Sequence, residues 1–253
     1  MNTVKVRDVE LGAGIPKICV SVIEKRTKDI VKSAASIKAL GADIIEWRAD
    51  WFQDVFDKNE MLHTLERIRG ALGNTPLLFT FRTGKEGGAC KIDPDMYVNV
   101  TRRAIKSGSI DMVDIELFTG EDEVQELVSL AKENGAKIVM SNHDFQKTPP
   151  KEEIIARLRK MQEIGADIPK IAVMPQSRRD VLTLLAATEE MTSTYADRPI
   201  VTMSMSGTGV LSRLCGEVFG SAMTFGAAGK ASAPGQMEVE DLKTVLGLIH
   251  KGM

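Results

Sequence analysis

The chain of 253 residues carries 33 lysines and arginines against 35 acidic residues, a net charge of −2, and 43% of its residues are hydrophobic. This composition, with a mean hydropathy of −0.08, is typical of a folded globular protein and excludes a disordered chain. The absence of a basic excess argues against nucleic-acid binding. No apolar run approaches the ~18 residues of a membrane span and no signal-peptide pattern opens the chain, so we expect no membrane association and a cytoplasmic location.

Three cysteines, Cys19, Cys90 and Cys215, are widely spaced and form neither a C-x-x-C pair nor a zinc-ligand pattern. In a reducing compartment such an odd set favours free structural thiols. We therefore assign no disulfide and no metal chemistry to the cysteines.

Short apolar segments alternate with amphipathic segments from about residue 17 to the end of the chain, and no change of composition marks a linker. Alternation of this kind predicts βα units, and eight of them predict a single (β/α)8 barrel, the TIM barrel, in one domain spanning 1–253. The predicted strands are 17–22, 43–50, 76–82, 112–117, 137–143, 168–174, 199–205 and 221–226.

A short segment precedes the barrel, which we assign to residues 17–250. Within residues 1–14, Val4, Val6 and Val9 lie in an alternating pattern typical of strands. We predict an N-terminal β-hairpin that closes the bottom of the barrel.

Charged residues occupy one face of the second predicted strand. Glu46, Arg48 and Asp50 alternate there with apolar Ile45 and Trp47, so the charges point into the barrel if the apolar face packs against helices. Groups at the carboxyl ends of barrel strands form active sites, whereas a self-neutralising network of buried ion pairs is the alternative explanation. The same alternation directs inward a further set of polar side chains: Thr80, Arg82, Asp114, Glu116, Ser141, His143 and Lys170.

Lys170 lies in an apolar run, Ile168–Met174, that predicts a strand buried on both faces. A lysine is almost never fully buried unless it is paired, and a buried neutral amine is a nucleophile. Two interpretations are open for this residue alone: a strand-end lysine that reaches solvent along its methylenes, or a catalytic amine.

His143 ends the strand that precedes the one carrying Lys170. Adjacent barrel strands lie about 4.8 Å apart, so the imidazole and the amine can flank one small molecule. We predict that His143 is a general acid and base. Glu86, in the flexible loop after the third strand, is a candidate to orient the imidazole, with a solvated loop glutamate as the alternative.

The last two βα units contribute a second group of candidates. Met203 and Met205 offer an apolar wall, and Arg213 offers a planar guanidinium suited to a carboxylate. The small-residue, Pro- and Gly-containing segment 230–236 is predicted to be a loop that closes over the barrel mouth.

At this point the sequence resembles the type I 3-dehydroquinate dehydratases, the Schiff-base class of the shikimate pathway. The resemblance covers nearly the whole chain, and its motifs follow the order of that family, each at a βα junction. The motifs are Glu46-Trp47-Arg48-Ala49-Asp50, Phe79-Thr80-Phe81-Arg82-Thr83 with Glu86-Gly87-Gly88, Ser141-x-His143-Asp144-Phe145 with Thr148-Pro149, Lys170-Ile171-Ala172, and Ser232-Ala233-Pro234-Gly235-Gln236.

The resemblance implies a lyase that dehydrates 3-dehydroquinate to 3-dehydroshikimate without a metal or other cofactor, and a homodimer. It implies an imine on Lys170, proton transfer by His143 and an orienting role for Glu86. The residues implied to bind substrate are Arg213, Ser232 and Gln236 at its carboxylate, with Arg82 at the same end, Glu46 and Arg48 at its ring hydroxyls, and Ser21, Met203, Met205 and Phe225 as lining.

Three other functions remain compatible with the pattern. A Schiff-base aldolase of phosphorylated sugars would need a phosphate site, for which residues 206–209 with Arg213 are available. A metal-dependent barrel could use Glu46, Glu116 and His143 as ligands, although the adjacent arginines oppose a cation. A barrel without activity that senses a carboxylated metabolite is the third.

Overall fold

The computed structural model describes residues 2–253, in which a small hairpin precedes a ring of parallel strands. The hairpin strands are β1 (Val4–Val6) and β2 (Val9–Leu11). The strands of the ring are β3 (Lys17–Val22), β4 (Ile44–Arg48), β5 (Leu77–Thr80), β6 (Met112–Glu116), β7 (Lys137–Asp144), β8 (Ile168–Val173), β9 (Val201–Ser204) and β10 (Met223–Gly226).

The ring strands pair in the order β10, β3, β4, β5, β6, β7, β8 and β9, each parallel to its neighbours. At the seam between β9 and β10, Ile200 and Ser221 form a parallel bridge, and the N–H of Ala222 donates to the carbonyl of Ile200 at 2.9 Å. The ring is therefore nearly closed, and the predicted TIM barrel is confirmed.

Helices follow every strand of the ring and bury an apolar stripe against it. In the helix after β6, the buried residues Val124, Leu127, Val128 and Ala131 recur at the spacing of a single helical face. The helices are α1 (Thr27–Ala39), α2 (Lys58–Leu72), α3 (Pro94–Lys106), α4 (Glu121–Glu133), α5 (Lys151–Ile164), α6 (Arg178–Glu190), α7 (Val210–Leu214), α8 (Gly216–Phe219) and α9 (Val239–Lys251).

The main apolar core lies between the strands and these helices. Ile45 and Trp47 of β4 are fully buried there, as their alternation with charged residues predicts. The ring of Trp47 packs against Phe52 and Phe79 with centroid separations of 5.8 and 5.7 Å. Burial of one large side chain stabilises the fold by about 1.5–3 kcal/mol, so the apolar face of β4 packs against the helices. The charged residues that alternate with this face therefore point into the barrel.

The N-terminal hairpin closes the lower end of the barrel. Its side chains Val4, Val6 and Leu11 belong to the same apolar cluster as Ile44 and Met112 from the barrel interior, and Leu11 has no exposed surface. The aliphatic lower layers therefore exclude water from below, which leaves the carboxyl ends of the strands as the open end.

Several predicted strands end earlier than expected. The strand predicted over 43–50 ends at Arg48, and Asp50 lies in a 3-10 turn over Ala49–Trp51. The strand predicted over 76–82 ends at Thr80. Beyond the strand ends, the carboxylate of Asp50 accepts from the N–H groups of Arg82 and Ala89, at 3.3 and 3.0 Å, and the side chain of Arg82 donates to Asp114 and Glu116. These residues therefore satisfy their polar groups outside the strand ladder.

Candidate active site

A cavity of about 500 Å³ opens at the carboxyl ends of the strands. Twelve of the thirteen residues predicted from the sequence line it, and the thirteenth, Ser21, hydrogen bonds to two of them, Glu46 and Ser232. Gly87, Phe145, Ala172 and Ala233 complete the lining. The twelve predicted residues are Glu46, Arg48, Arg82, Glu86, His143, Lys170, Met203, Met205, Arg213, Phe225, Ser232 and Gln236.

Lys170 is buried at the base of this cavity, with 3% of its surface exposed. Its Nζ lies 3.4 Å from Oδ2 of Asp114 and 4.4 Å from the ring centroid of Phe225. The alternative of a solvated strand-end lysine is therefore wrong. A buried amine with a carboxylate on one side and an aromatic face on another is held at one position.

Arg82 joins three inward strand residues into a buried polar layer beside Lys170. Its Nη2 donates to Asp114 at 2.8 Å, and its Nη1 donates to Glu116 at 2.9 Å and to Ser141 Oγ at 2.9 Å. Burial alone would raise the pKa of Asp114, but the charges of Arg82 and Lys170 outweigh it and lower that pKa. Part of the charge on the strands therefore forms a buried ion-pair network, as the alternative explanation has it, and Arg82 and Lys170 of this network line the cavity.

His143 and Glu86 form a second pair within the site. Glu86 Oε2 is 2.9 Å from His143 Nδ1 and accepts from the His143 backbone N–H at 3.0 Å, which leaves Nε2 for a ligand in the cavity. Burial, followed by the charges of Arg82 and Lys170, lowers the pKa of His143 well below its usual value. Burial, reinforced by Glu116, raises the pKa of Glu86 to about 8. The imidazole is therefore neutral near pH 7, the form that accepts a proton.

Glu46 and Arg48 lie on the opposite wall, on β4. Glu46 accepts hydrogen bonds from Ser21 Oγ and, at 2.8 Å, from Thr80 Oγ1. Asp50 holds the guanidinium of Arg48 in a bidentate contact, from Nε at 2.8 Å and Nη2 at 2.9 Å. This wall presents both acceptors and donors, a combination that suits hydroxyl groups.

Arg213 is the cation of the site that lacks an acidic partner. It is 2% exposed, and its contacts are the carbonyl of Pro234, at 3.0 Å from Nη2, and the sulfur of Met203, at 3.6 Å from Nη1. Within residues 2–253, its hydrogen-bond partners include no carboxylate, and its Nε has no hydrogen-bond partner. Burial lowers the pKa of Arg213 to about 10, so it remains charged at neutral pH and attracts an anion.

Three residues of the 230–236 loop, Ser232, Ala233 and Gln236, line this end of the cavity. Ser232 Oγ is 3.0 Å from Ser21 Oγ, and Gln236 contacts Ser232 through both its amide nitrogen, at 3.0 Å, and its amide oxygen. At the start of the loop, the amine of Lys230 lies 5.2 Å from the ring centroid of Trp51, which follows β4, two strands along the ring from β10. The loop thus covers the β10, β3 and β4 side of the mouth and brings two polar side chains to the same end as Arg213.

The side chains invoked by the alternative functions are separated in the structure. Glu46, Glu116 and His143 each bind different partners, and among residues 2–253 no group of three or more His, Cys, Asp or Glu is arranged to hold a metal ion. Gly207 and Thr208 line a surface groove with Arg178 rather than the main cavity. Neither arrangement builds the site that those functions need.

Three features of the site are not identified by the sequence pattern. Strand alternation places Asp114 inside the barrel but does not pair it with Lys170, and it predicts neither the contact of Asn142 with Glu86 nor the place of Phe145 in the cavity lining. The signal for Asp114 is its position two residues before Glu116 on the inward face. No local pattern distinguishes Asn142, because its contact depends on the loop that carries Glu86.

The fold and the site together define a TIM-barrel protein with a buried lysine, a neutral histidine and an unpaired arginine around one small cavity. The chain belongs to the type I 3-dehydroquinase family, whose profile matches residues 18–253. It is 55% identical over 251 residues to the 3-dehydroquinate dehydratase of Salmonella typhimurium, covering 99% of this chain and 100% of that one. Membership makes the protein an enzyme of the type I 3-dehydroquinate dehydratase class.

Solved structures are similar throughout the chain. The type I 3-dehydroquinate dehydratase from Clostridium difficile, solved with covalently modified comenic acid, superposes with a TM-score of 0.97 at 52% identity and covers 100% of this chain and 99% of that one. The 3-dehydroquinate dehydratase from Geobacillus kaustophilus gives a TM-score of 0.96 at 37% identity, with coverage of 99% and 97%. Separately, none of the helices within residues 2–253 is long and apolar enough to cross a membrane.

Proposed function

We propose that the protein converts 3-dehydroquinate to 3-dehydroshikimate through an imine on Lys170, with His143 as general base and acid. The observation that supports this proposal most directly is that Lys170 and His143 lie on adjacent strands and line one cavity, which also contains the unpaired Arg213. An amine, a neutral imidazole and an anion-binding group are what dehydration of a β-hydroxyketone with a carboxylate requires.

The covalent step begins at the ketone of the substrate. Nζ of Lys170 adds as the free amine to C3, and loss of the ketone oxygen as water, with uptake of one proton from solvent, leaves a protonated imine. The protonated imine withdraws electrons from C2 more strongly than the ketone does, so the C2 proton becomes more acidic. Asp114 and Phe225 hold the amine toward the cavity, which reduces the entropic cost of reaching the carbonyl carbon.

The proton transfers are assigned to Nε2 of His143. This nitrogen takes the C2 proton and leaves an enamine, and then returns a proton to the C1 hydroxyl as that group departs as water. Glu86 accepts from Nδ1–H and so fixes the tautomer in which Nε2 carries the lone pair. Hydrolysis of the remaining imine releases the product and restores Lys170.

Substrate binding follows the charges of the cavity. Arg213, with Ser232 and Gln236, holds the carboxylate, because Arg82 is already bound by Asp114 and Glu116. The ring hydroxyls lie against the opposite wall, where the contacts are Glu46 and Arg48, while Arg82 lies at the carboxylate end beside its buried partners. Met203, Met205 and Phe225 line the cavity, and Ser21 supports it through its hydrogen bonds to Glu46 and Ser232.

Two properties of the protein stay predictions of the sequence. These are assembly as a homodimer and location in the cytoplasm. The division into a hairpin segment over 1–14 and a barrel over 17–250, within one domain, is likewise part of the proposal.

The reaction is tested by adding purified protein to 3-dehydroquinate and following the ultraviolet absorbance of the conjugated product. We expect turnover that a chelator does not reduce, and Lys170→Ala is expected to abolish it while substrate still binds by calorimetry. Unchanged turnover in Lys170→Ala would refute the imine, and loss of wild-type turnover with a chelator would favour the metal-dependent alternative.

A further inference from the structure

Behind the His143–Glu86 pair lies an amide that connects the cavity to a helix outside it. Asn142 on β7 is 4% exposed, and its Nδ2 donates to Glu86 Oε1 at 3.1 Å. On its other side, Oδ1 of the same amide accepts from Nη1 of Arg157 at 2.7 Å. Arg157 belongs to α5 and is not among the residues that line the cavity.

The arginine determines which way the amide points. An asparagine side chain can turn by half a rotation, which exchanges its oxygen and its NH₂ group, and its orientation follows from its hydrogen-bond partners. A guanidinium carries only donors, so the oxygen of Asn142 must face Arg157 and the NH₂ group must face Glu86. Glu86 then receives three N–H donors: Asn142 Nδ2, the backbone N of His143, and Nδ1 of His143.

We propose that Arg157 is a positioning residue for proton transfer: by fixing the Asn142 amide, it keeps Glu86 as a hydrogen-bond acceptor and thereby keeps Nε2 of His143 free of its proton. This inference rests on the proposed role of His143 as the general base. If the amide turned, its oxygen would face Oε1 of Glu86 and favour a protonated Glu86. On Oε2 the added proton is donated to Nδ1 of His143 and the imidazole proton moves to Nε2, whereas on Oε1 it is donated to the amide oxygen and leaves a neutral carboxyl as the acceptor of Nδ1–H. In the first case Nε2 no longer accepts a proton, and in the second it is a weaker base.

The charges around Glu86 place the protonation of its carboxylate close to neutral pH. Arg82 Nη1 lies 3.5 Å from Glu86, while Glu116 and Asp114 are the neighbouring acids. Burial and Glu116 raise the pKa of Glu86 to about 8, and the hydrogen bond from Asn142 opposes that rise. Loss of this one donor therefore shifts the protonation of Glu86 within the working pH range.

Three cations near His143 act on the imidazole itself. Arg82, Lys170 and Arg48 all disfavour its protonated form. The added proton therefore goes to Glu86 rather than to the ring.

Arg157 itself is held by two further contacts. Its Nη2 pairs with Glu153 one turn earlier on α5, and its guanidinium carbon lies 5.7 Å from the ring centroid of Phe118. These contacts fix the guanidinium beside Asn142, where it offers only donors.

The test is the pH dependence of kcat/KM for 3-dehydroquinate in Arg157→Met, Arg157→Lys and the wild type. We expect Arg157→Met to move the midpoint of the acidic limb upward by about half a unit to one unit, as for the loss of a hydrogen bond to a buried carboxylate. Activity near pH 7 then falls about 3- to 10-fold, while activity above the limb matches the wild type. Arg157→Lys, which keeps a donor, is expected to restore the wild-type midpoint.

Arg159→Met is the matched control, because Arg159 lies on the same helix but stacks on Tyr195 at 4.8 Å, away from the site. Its profile should superimpose on the wild type. If Arg157→Met folds poorly by circular dichroism, Arg157→Gln takes its place, since a neutral amide leaves Asn142 free to turn. An unchanged midpoint in the folded variant, or an equal loss of activity at every pH, overturns the proposal. Absence of wild-type turnover would instead refute the proposed function.

Discussion

Oδ2 of Asp114 lies 3.4 Å from Nζ of Lys170, and neither side chain has more than 4% of its surface exposed. The same carboxylate accepts from Arg82 at 2.8 Å and from Ser141 Oγ at 2.6 Å. One buried acid therefore compensates two buried cations. The stability of the barrel interior and the position of the reactive amine depend on the same group.

We expect Asp114→Asn to destabilise the fold by about 3–5 kcal/mol, since removal of one member of a buried ion pair leaves the other charges uncompensated. Urea unfolding measures this loss. Asp29→Asn, which breaks the exposed pair with Arg26, is the control and should cost less than about 1 kcal/mol. Equal effects of the two substitutions would show that the buried layer is not held by Asp114.

Arg213→Met separates stability from activity. Because Arg213 is buried without an acidic partner, its replacement by an apolar side chain of similar length should leave unfolding stability unchanged or slightly higher. Two charged hydrogen bonds to a carboxylate contribute about 3 kcal/mol together, so kcat/KM should fall about 100-fold. Steady-state kinetics and thermal unfolding measure both quantities. A variant that is unstable yet binds substrate normally would contradict the assignment of Arg213 to the carboxylate.

The pH dependence of the reaction should report Glu86. Its pKa is raised to about 8 by burial, so Glu86 is ionised above that pH and protonated below it. Since Nε2 of His143 is a base only when Glu86 accepts from Nδ1–H, kcat/KM should rise with pH through about 8 and then level off.

Glu86→Gln tests whether titration of Glu86 causes this pH dependence, because glutamine accepts from Nδ1–H but does not titrate. We expect the limb near pH 8 to disappear in this variant. A profile with the same midpoint as the wild type would assign the limb to another group.

Closure of the 230–236 loop depends on a glycine at its contact with the loop after β9. A Cβ on Gly235, whose φ is +81°, would lie 2.3 Å from the carbonyl oxygen of Ser206. Gly235→Ala should therefore lift Ser232 and Gln236 from the site and raise KM about 10-fold or more, as expected for loss of one to two hydrogen bonds. Gly229→Ala is the control, with a similar φ of +76° and no atom within 4 Å of the added carbon. Equal KM values in the two variants would exclude the contact as the cause.

The barrel is predictable because its signal is repeated. Eight apolar segments alternating with amphipathic ones leave few arrangements, and the alternation within β4 is enough to place Glu46 and Arg48 inside the barrel. The ends of the strands are less predictable. Asp50 continues the alternation of β4 but leaves the ladder, because its carboxylate accepts from Arg48 and from the N–H of Ala89 in a loop distant in sequence.

The site is predictable as a set of residues but not as a set of pairs. Lys170, His143 and Arg213 follow from strand position and from the family resemblance. Asp114 binds both Arg82 and Lys170, whereas Arg213 binds no acid within residues 2–253. These pairings depend on how three strands and a loop meet in the folded barrel. The acid that each cation pairs with is set by the assembled barrel, and this pairing decides which arginine is available for a substrate carboxylate.

The imine on Lys170 is tested most directly by borohydride reduction in the presence of 3-dehydroquinate, followed by intact mass and peptide mapping. The account predicts one substrate-derived adduct on the peptide that carries Lys170, and its loss in Lys170→Ala. His143→Ala should still form the adduct, since proton transfer follows imine formation. No adduct in a protein that turns over 3-dehydroquinate, or an adduct on another lysine, would contradict the assignment of Lys170 as the nucleophile.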